Sequence, residues 1–433
     1  MPGLLVVFVG GAPDARAVRW EGKGITIGRG DDCDLKLDDK QLSRKHLDVK
    51  YLGERRWSVA DLGSHNGTFV SGARIAGETR HQADDVIVVR AGGGTVILLY
   101  ADMSSFAYST VFVTDRVTGP ASKEMLDAIT NAASAGANLL VQGESGTGKE
   151  FAAKKYHAKG RNARGRFVAV NCAEIPKNLA EAELFGAKKG AFSGADADRL
   201  GYFGQADGGV LFLDEIGTLD LELQPKLLRV VEQHLVQPLG GGAPKKVNVL
   251  LVCATNVDLR EAVERGTFRR DLLARIAQER VELPPLRTRP EEIPHLVMLA
   301  LREAELPQMK PTASFIETCL LREWPANVRE LIAEVQRAAR RVAATGEVEM
   351  FAEDLDPLAG RRVARERPKD RSSLAPPPGE AAATADDDEA RVDELAAAYI
   401  ETRSVDRARA RVGMSRSAAY RWLRRRGVLK KDE

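Results

Sequence analysis

NLLVQGESGTGKE, residues 138–150, decides the central fold. NLLVQ is an apolar run of strand length. GESGTG places three glycines in six residues, and the residues from Lys149 onward suit a helix. Strand, glycine loop and helix in that order give G-x-x-x-x-G-K the setting of a phosphate-binding loop. The glycines let backbone N–H groups close around phosphate oxygens. The helix N-terminus adds the positive end of its dipole, and Lys149 adds a point charge. Gly143, Glu144, Ser145, Gly146, Thr147, Gly148, Lys149 and Glu150 are therefore the candidate nucleotide-binding residues. Glu150 departs from the general pattern, standing where a Ser or Thr usually touches magnesium.

Downstream of this loop the chain repeats the same alternation. GGVLFLDEIG, residues 208–217, is a buried apolar strand ending in two acids. Asp214 is placed to hold magnesium and Glu215 to orient and activate an attacking water. VNVLLVCATN ends at Thr255 and Asn256, polar groups at the carboxyl end of a strand, where parallel sheets bind ligands. Together with FVAVNC, these strands and the helical stretches between them predict a parallel sheet covered by helices over residues 117–285. Residues 286–357 carry helical periodicity only.

On the other side, residues 1–101 read as short alternating apolar runs (LLVVFV, GITIG, HLDVKYL, RWSVADL, DVIVV, TVILLY) separated by Gly, Asn and Asp clusters. That is the pattern of an all-β sandwich. Residues 102–116 read as a connector. Residues 358–390 are charged, rich in Pro and Ala and poor in aliphatic side chains, which predicts a disordered linker. Residues 391–433 are helical and basic, with 12 Lys/Arg against 6 Asp/Glu. The chain as a whole carries only +2 over 433 residues, so this local excess points the C-terminal segment towards nucleic acid. The four cysteines are scattered without metal-ligand spacing, and Cys172 and Cys253 sit in apolar core contexts. No run reaches the roughly 18 apolar residues of a membrane span, and the N-terminus lacks a basic leader. The expectation is a soluble cytoplasmic protein with no membrane partner.

GESGTGKE, FVAVNCAEIP, AELFGAKKGAFSGA, GGVLFLDEIG, CATNVDL, FRRDLLARI, LPPLRTRPEEIP and WPANVREL occur in this order. Together they resemble the AAA+ domain of bacterial enhancer-binding proteins, the activators of sigma-54 RNA polymerase, over residues 117–350. The resemblance implies ATP and Mg²⁺ as cofactors and a homo-oligomeric, hexameric ring. It implies that Gly190, Ala191, Phe192, Ser193, Gly194 and Ala195 form the loop that presses its Phe against sigma-54, with Ser193 where the family has Thr. It makes Asn171 the switch residue that senses nucleotide through Glu215. Arg269 and Arg275 become arginine fingers reaching the next subunit, and Arg329 the lid arginine on the phosphates. The chain departs from the family at Ala187 and Lys188, where His-Glu is usual, and at Ala274, where Tyr is usual.

GITIGRGDDCDLKL, LSRKHLDV and DLGSHNGTFVSG resemble a forkhead-associated (FHA) domain over residues 1–101. The resemblance implies phosphothreonine binding, the partner being a serine/threonine kinase or its substrate. Arg29 would supply a guanidinium fork, Ser43 and Arg44 a hydroxyl and a second cation, and Asn66 an amide for the peptide backbone. His46 reads as a brace for the loops. SRSAAYRWLRRR, after a helix ending near Gly413, resembles the Fis-like helix-turn-helix of the same activators. Ser415, Arg416, Ser417, Tyr420 and Arg421 would lie on the recognition helix against double-stranded DNA, with Arg424 to Arg426 on phosphates. The fold expected is thus multidomain: an all-β FHA sandwich, an α/β AAA+ ATPase with a helical lid, and an all-α helix-turn-helix. Two rival readings are a DNA-binding regulator acting without sigma-54 and a general protein-remodelling ATPase.

Overall fold

The computed structural model describes residues 1–83, 86–108, 112, 113, 117–191, 196–361, 395–397, 399 and 423. The chain divides into two units, residues 1–363 and 364–433. Residues described in the second unit are helical. The recognition-helix residues Ser415, Arg416, Ser417, Tyr420 and Arg421 lie outside the described residues. Among the described residues no helix is long and apolar enough to cross a membrane.

The first unit begins with eleven strands. These are β1 (Gly3–Val9), β2 (Ala12–Arg19), β3 (Ile25–Gly28), β4 (Leu35–Lys36), β5 (Leu47–Gly53), β6 (Arg56–Asp61), β7 (Thr68–Val70), β8 (Ala73–Ile75), β9 (Glu78–Gln82), β10 (Val86–Ala91) and β11 (Thr95–Tyr100). They form two sheets, ordered β2-β1-β11-β10-β7-β8 and β4-β3-β5-β6-β9. Leu4, Val6, Val89, Ile97 and Leu99 of the first sheet meet Ile27, Leu47, Val49, Trp57 and Val59 of the second. The side chains between them on the first sheet point the other way, as the two-residue period of a strand requires. Leu5, Val7, Val88, Val96 and Leu98 would therefore face solvent in a free sandwich. Instead they are buried, together with Phe8 and Met103, in one cluster with the helices near the end of the unit. LLVVFV and TVILLY are accordingly not alternating strands but continuously apolar ones, because both faces of β1 and β11 are covered.

After the short ladder of β12 (Phe112–Val113) and β13 (Val117–Thr118), a parallel sheet follows. Its strands are β14 (Leu139–Gln142), β15 (Phe167–Asn171), β16 (Val210–Asp214), β19 (Leu250–Thr255) and β20 (Glu279–Glu282), in the order β15-β16-β19-β14-β20. Helices α1 (Pro120–Ala135) and α2 (Lys149–Lys159) cover one face through Ile129, Ala152 and Tyr156, against Leu139, Val141, Phe212 and Val252. The other face packs Leu140, Leu211, Leu213 and Cys253 against α3 (Ala180–Phe185), α4 (Tyr202–Gln205), α5 (Gln224–Gln233), α6 (Leu259–Glu264) and α7 (Arg270–Ile276). Between α5 and β19 runs a two-strand ladder of β17 (Leu235–Val236) and β18 (Lys245–Lys246).

The unit ends in α8 (Ile293–Glu303), α9 (Ala313–Leu320) and α10 (Asn327–Ala344), tied by β21 (Lys310–Pro311) pairing parallel to β22 (Glu349–Met350). Thr312 caps α9 by accepting from the Phe315 N–H. Trp324 is fully buried at the centre and donates from Nε1 to the Cys319 carbonyl at 2.8 Å. Gly360 lies against its ring, where an added Cβ would come within 3.0 Å of it. These helices and the covered face of the sandwich share one core. Burying each apolar side chain of that kind stabilises by roughly 1.5–3 kcal/mol. The six contributed by the sandwich strands, with Met103 just after them, therefore outweigh any single polar contact across the boundary.

Candidate functional site

The parallel sheet brings the candidate nucleotide residues to one edge. β14 is flanked by β19 and β20, so its carboxyl end opens between neighbours. The loop after it leaves the sheet through the Gly143 N–H, which donates to the Thr255 carbonyl at 3.2 Å. Gly146 and Gly148 have φ of +77° and +108°, which side-chain-bearing residues rarely adopt. Thr147 Oγ1 donates back to the Glu144 carbonyl at 2.8 Å, keeping the turn tight. Lys149, the first residue of α2, is buried. Its Nζ donates to the Gly143 carbonyl at 3.2 Å and stands 3.6 Å from the Glu215 carboxylate.

The two acids sit at the neighbouring strand end. Asp214 closes β16, and its Oδ1 accepts the Glu215 N–H at 2.9 Å. Glu215 takes a left-handed φ of +51° that turns the chain away from the sheet. Asn171 ends β15 in register with Asp214. Its side-chain NH2 donates to Glu174 at 2.7 Å and its carbonyl oxygen accepts the Ala173 N–H, so here it is bonded to its own turn rather than to Glu215. Thr255 is buried and accepts the Val257 N–H on Oγ1, whereas Asn256 is exposed. Cys172 lies beside these acids. Burial, and then the Asp214 and Glu215 charges, push its thiol up to about 12, so it stays protonated.

Glu150 does not join the loop; it is exposed on α2 and pairs with Lys154 at 2.7 Å. Among the described residues no group of three or more His, Cys, Asp or Glu gathers to hold a metal alone. A strand-end carboxylate beside a phosphate loop nevertheless fits magnesium, which takes one or two carboxylates and completes its shell with phosphates and water.

The helical lid reaches over the loop through Arg329, the expected lid arginine, and through Arg287, Arg289 and Asn327, to which the motifs gave no role. Arg287 holds the Glu144 carboxylate at 2.7 and 2.9 Å with two guanidinium nitrogens. Asn327, fully buried, donates to Glu144 and to the Ser145 carbonyl, and accepts the Leu286 N–H at 2.8 Å. Arg289 donates to the Thr147 carbonyl, to Ser122 and to Glu292. Arg329 places a guanidinium nitrogen 3.1 Å from Ser145 Oγ. The signal for Arg287 and Arg289 was present in LPPLRTRPEEIP, two arginines where the sheet hands over to the lid. Arg269 and Arg275 lie at the start and end of α7, exposed, each paired with a surface carboxylate, Asp271 and Glu232 respectively.

In the sandwich, Arg29, Ser43, Arg44 and Asn66 meet on one cluster of loops. Arg29 N–H donates to the Ser43 carbonyl and Gly30 N–H to the Arg44 carbonyl. Ser43 Oγ accepts the His65 N–H, and the Asn66 amide donates to the Gln41 carbonyl at 2.8 Å. Buried His46 ties the cluster together. Its Nδ1 accepts the Ser43 N–H, so its Nε2 carries the proton that bonds the Gly67 carbonyl at 3.2 Å. Burial lowers its pKa, which keeps the ring neutral.

The remaining candidate loop rises from a closed base. Ala187 and Arg199 exchange backbone hydrogen bonds of 3.1 and 2.8 Å, Lys188 pairs with Asp198, and the Leu239 carbonyl accepts the Lys188 N–H. Gly240 approaches Ala191 so closely that an added Cβ would lie 2.6 Å from it. Phe192, Ser193, Gly194 and Ala195 lie outside the described residues.

Comparison with known proteins meets this geometry from several sides. Residues 117–282 match the family described as the sigma-54 interaction domain, and residues 25–90 match the FHA domain. The Psp operon transcriptional activator of Escherichia coli is 43% identical over 234 residues, covering 52% of this chain and 72% of that protein. The chain belongs to the sigma-54-dependent transcriptional activators. Within that family, the regulatory protein FlbD of Caulobacter vibrioides is 41% identical over 273 residues, covering 61% of this chain and 60% of its own. The regulator NtrC of a Bradyrhizobium strain is 43% identical over 228 residues, covering 52% and 47%. The chain thus spans about half the length of several of the curated activators that it matches. Among solved structures, NtrX from Brucella abortus in complex with ADP superposes with a TM-score of 0.53 at 28% identity, covering 73% of this chain and 70% of that one. The chain therefore shares its central fold with a protein solved in complex with a nucleotide.

Proposed function

We propose that the chain hydrolyses ATP to drive sigma-54 RNA polymerase from its closed to its open promoter complex, in answer to a phosphothreonine signal read by the FHA domain. The observation that carries this reading is the buried Lys149 facing Glu215 across a glycine loop that the lid closes with Arg329. Lys149, freed from the Gly143 carbonyl, supplies charge to the β- and γ-phosphates, and the loop N–H groups cradle them. Asp214 would hold Mg²⁺, which neutralises phosphate charge when bound. Glu215 orients a water and accepts its proton as the oxygen attacks the γ-phosphorus; the bond to the β,γ-bridging oxygen breaks and that oxygen leaves on ADP. Arg329 keeps the lid on the phosphates through Ser145.

Arg269, the residue before α7, and Arg275 on it, both exposed, are placed to reach the ATP of an adjoining copy, and a head-to-tail contact of that kind closes into a ring, here a hexamer. Asn171, paired in register with Asp214, would leave Glu174 for Glu215 when nucleotide changes. Phe192 is the apolar anchor offered to sigma-54, its loop base held by the Ala187–Arg199 pair. Arg29, Ser43, Arg44 and Asn66 take the phosphothreonine peptide. Ser415, Arg416, Ser417, Tyr420 and Arg421 read an upstream DNA site.

A purified transcription system tests the reading. Phe192→Ala should keep ATP hydrolysis within about twofold while abolishing open-complex formation, since an isolated surface anchor adds to partner binding rather than to folding. Normal transcription by Phe192→Ala would overturn the sigma-54 role. Loss of ATPase together with loss of fold would overturn the assignment of Phe192 to a free loop.

A further inference from the structure

The sandwich does not hang from the ATPase on a tether. Its sheet face of Leu5, Val7, Val88, Val96 and Leu98 is buried against the lid, and α9 lies across β1, β10 and β11. Two polar fastenings hold the register. Arg90 of β10 is 13% exposed and Glu317 of α9 5%, and Arg90 Nε donates to Glu317 Oε2 at 2.5 Å. The other Glu317 oxygen accepts the Gly72 N–H at 3.1 Å. The Arg90 guanidinium also lies over the Phe69 ring, 3.6 Å from its centroid.

The second fastening is the turn between β10 and β11, residues 92–94. Gly92 N–H donates to the Gly67 carbonyl, next to Asn66. Any side chain at Gly92 would meet the Gln41 carbonyl, the one that Asn66 bonds. Arg90 donates to the Gly92 carbonyl at 3.0 Å, and the Ala313 N–H, at the start of α9, donates to the Gly93 carbonyl at 3.1 Å. One three-residue turn is thus bonded to the phosphopeptide loops on one side and to the lid on the other. The lid is in turn bonded to the phosphate loop through Arg287, Arg289, Asn327 and Arg329.

We propose that the FHA domain is built onto the lid as an added layer, fastened by Arg90 and Glu317, and that the turn at residues 92–94 couples the nucleotide pocket to the phosphopeptide loops. The lid cannot change its hold on the phosphate loop without carrying the Ala313 N–H and Glu317, and with them the turn that braces Asn66 and Gly67. The coupling of nucleotide to the sandwich stands on these contacts alone. Its extension to peptide affinity rests on the phosphothreonine reading above.

Hydrogen exchange on the full chain, with and without saturating ADP, tests the coupling. ADP should change amide exchange at residues 63–67, 91–95 and 313–320 by about fivefold or more, the usual lower range of coupling between sites. In Glu317→Ala the change at residues 63–67 and 91–95 should vanish, while ADP affinity stays within about twofold because Glu317 touches no part of the pocket. The proposal is overturned if ADP alters only the phosphate loop in the wild type, or if Glu317→Ala responds like the wild type. Should Glu317→Ala fail to fold, the wild-type measurement decides by itself. A phosphothreonine peptide selected from a degenerate library supplies the second arm. Saturating ADP should shift its affinity by the same factor that saturating peptide shifts ADP affinity. A factor near one in both directions overturns the coupling of nucleotide to peptide. Equal binding of phosphorylated and plain peptides overturns the phosphothreonine reading instead, leaving the exchange result to stand.

Discussion

Glu291→Gln should stabilise the chain at pH 8 and change it little at pH 5. Glu291 is 4% exposed at the base of the lid, where Tyr100 at the end of the sandwich donates its hydroxyl to Oε2 at 3.3 Å. Burial, aided by the neighbouring Glu292 charge, raises its pKa from 4.5 to about 7, against the pull of backbone and Tyr100 hydrogen bonds and of Arg289. Its carboxyl is therefore favoured in the neutral form. A raised carboxyl keeps in the folded state a proton that the unfolded chain has already released. The stability it contributes is complete below about pH 4.5 and is lost as the pH rises through about 7. That span of about 2.5 pH units, at about 1.36 kcal/mol each, amounts to about 3 kcal/mol at pH 8 and under about 1 kcal/mol at pH 5. Glutamine keeps an acceptor for Tyr100 and never ionises. The gap between variant and wild type should thus widen by about 2.5 kcal/mol from pH 5 to pH 8, or several degrees in melting temperature. Thermal unfolding of both proteins at the two pH values reads it, and all other titrating groups cancel in the comparison. A gap that is the same at both pH values, or a loss of stability at pH 8, would refute the reasoning.

Two further expectations concern the sites themselves. Lys149→Ala should abolish ATP binding, whereas Glu215→Gln should bind ATP normally and turn over roughly 10²–10⁴-fold more slowly, the range of a lost general base, as equilibrium binding and steady-state hydrolysis will show. His46 should titrate below its ordinary 6.5 with the proton on Nε2 at neutral pH, visible by imidazole NMR; because its folded pKa is lowered, the stability it lends the loops is complete above about 6.5 and is lost as the pH falls through the folded value.

The nucleotide edge was legible in the sequence because its chemistry is local. Glycines, a lysine and a strand ending in Asp214 and Glu215 must sit at fixed spacing, so the pattern survives without the fold. The FHA loops were legible for the same reason, with Arg29, Ser43 and Asn66 each inside a short motif. The lid's grip on the loop was half legible. LPPLRTRPEEIP was recognisable, but that Arg287 would hold Glu144, 143 residues away, is a property of packing. The docking of the sandwich on the lid was not anticipated, although its trace was there. LLVVFV and TVILLY have no polar alternates, and a strand without polar alternates is covered on both sides. Glu317 gave no such trace, since a buried glutamate looks like a surface one until its partner Arg90 is placed.

The shared core also bears on how readily this FHA domain could be exchanged. A forkhead-associated domain is usually pictured as a bead that can be restrung on any chain. Here a transplant that kept only the loops around Arg29, Ser43 and Asn66 would set the wrong surface on α9, leave Glu317 without Arg90 and strip the cover from Phe315 and Ile316. A functional graft would have to bring the reverse side of the sheet as well: Leu5, Val88, Leu98 and the arginine among them. Recombination can therefore move this FHA domain between activators only together with the lid it rests on, so that the two behave as a single heritable part.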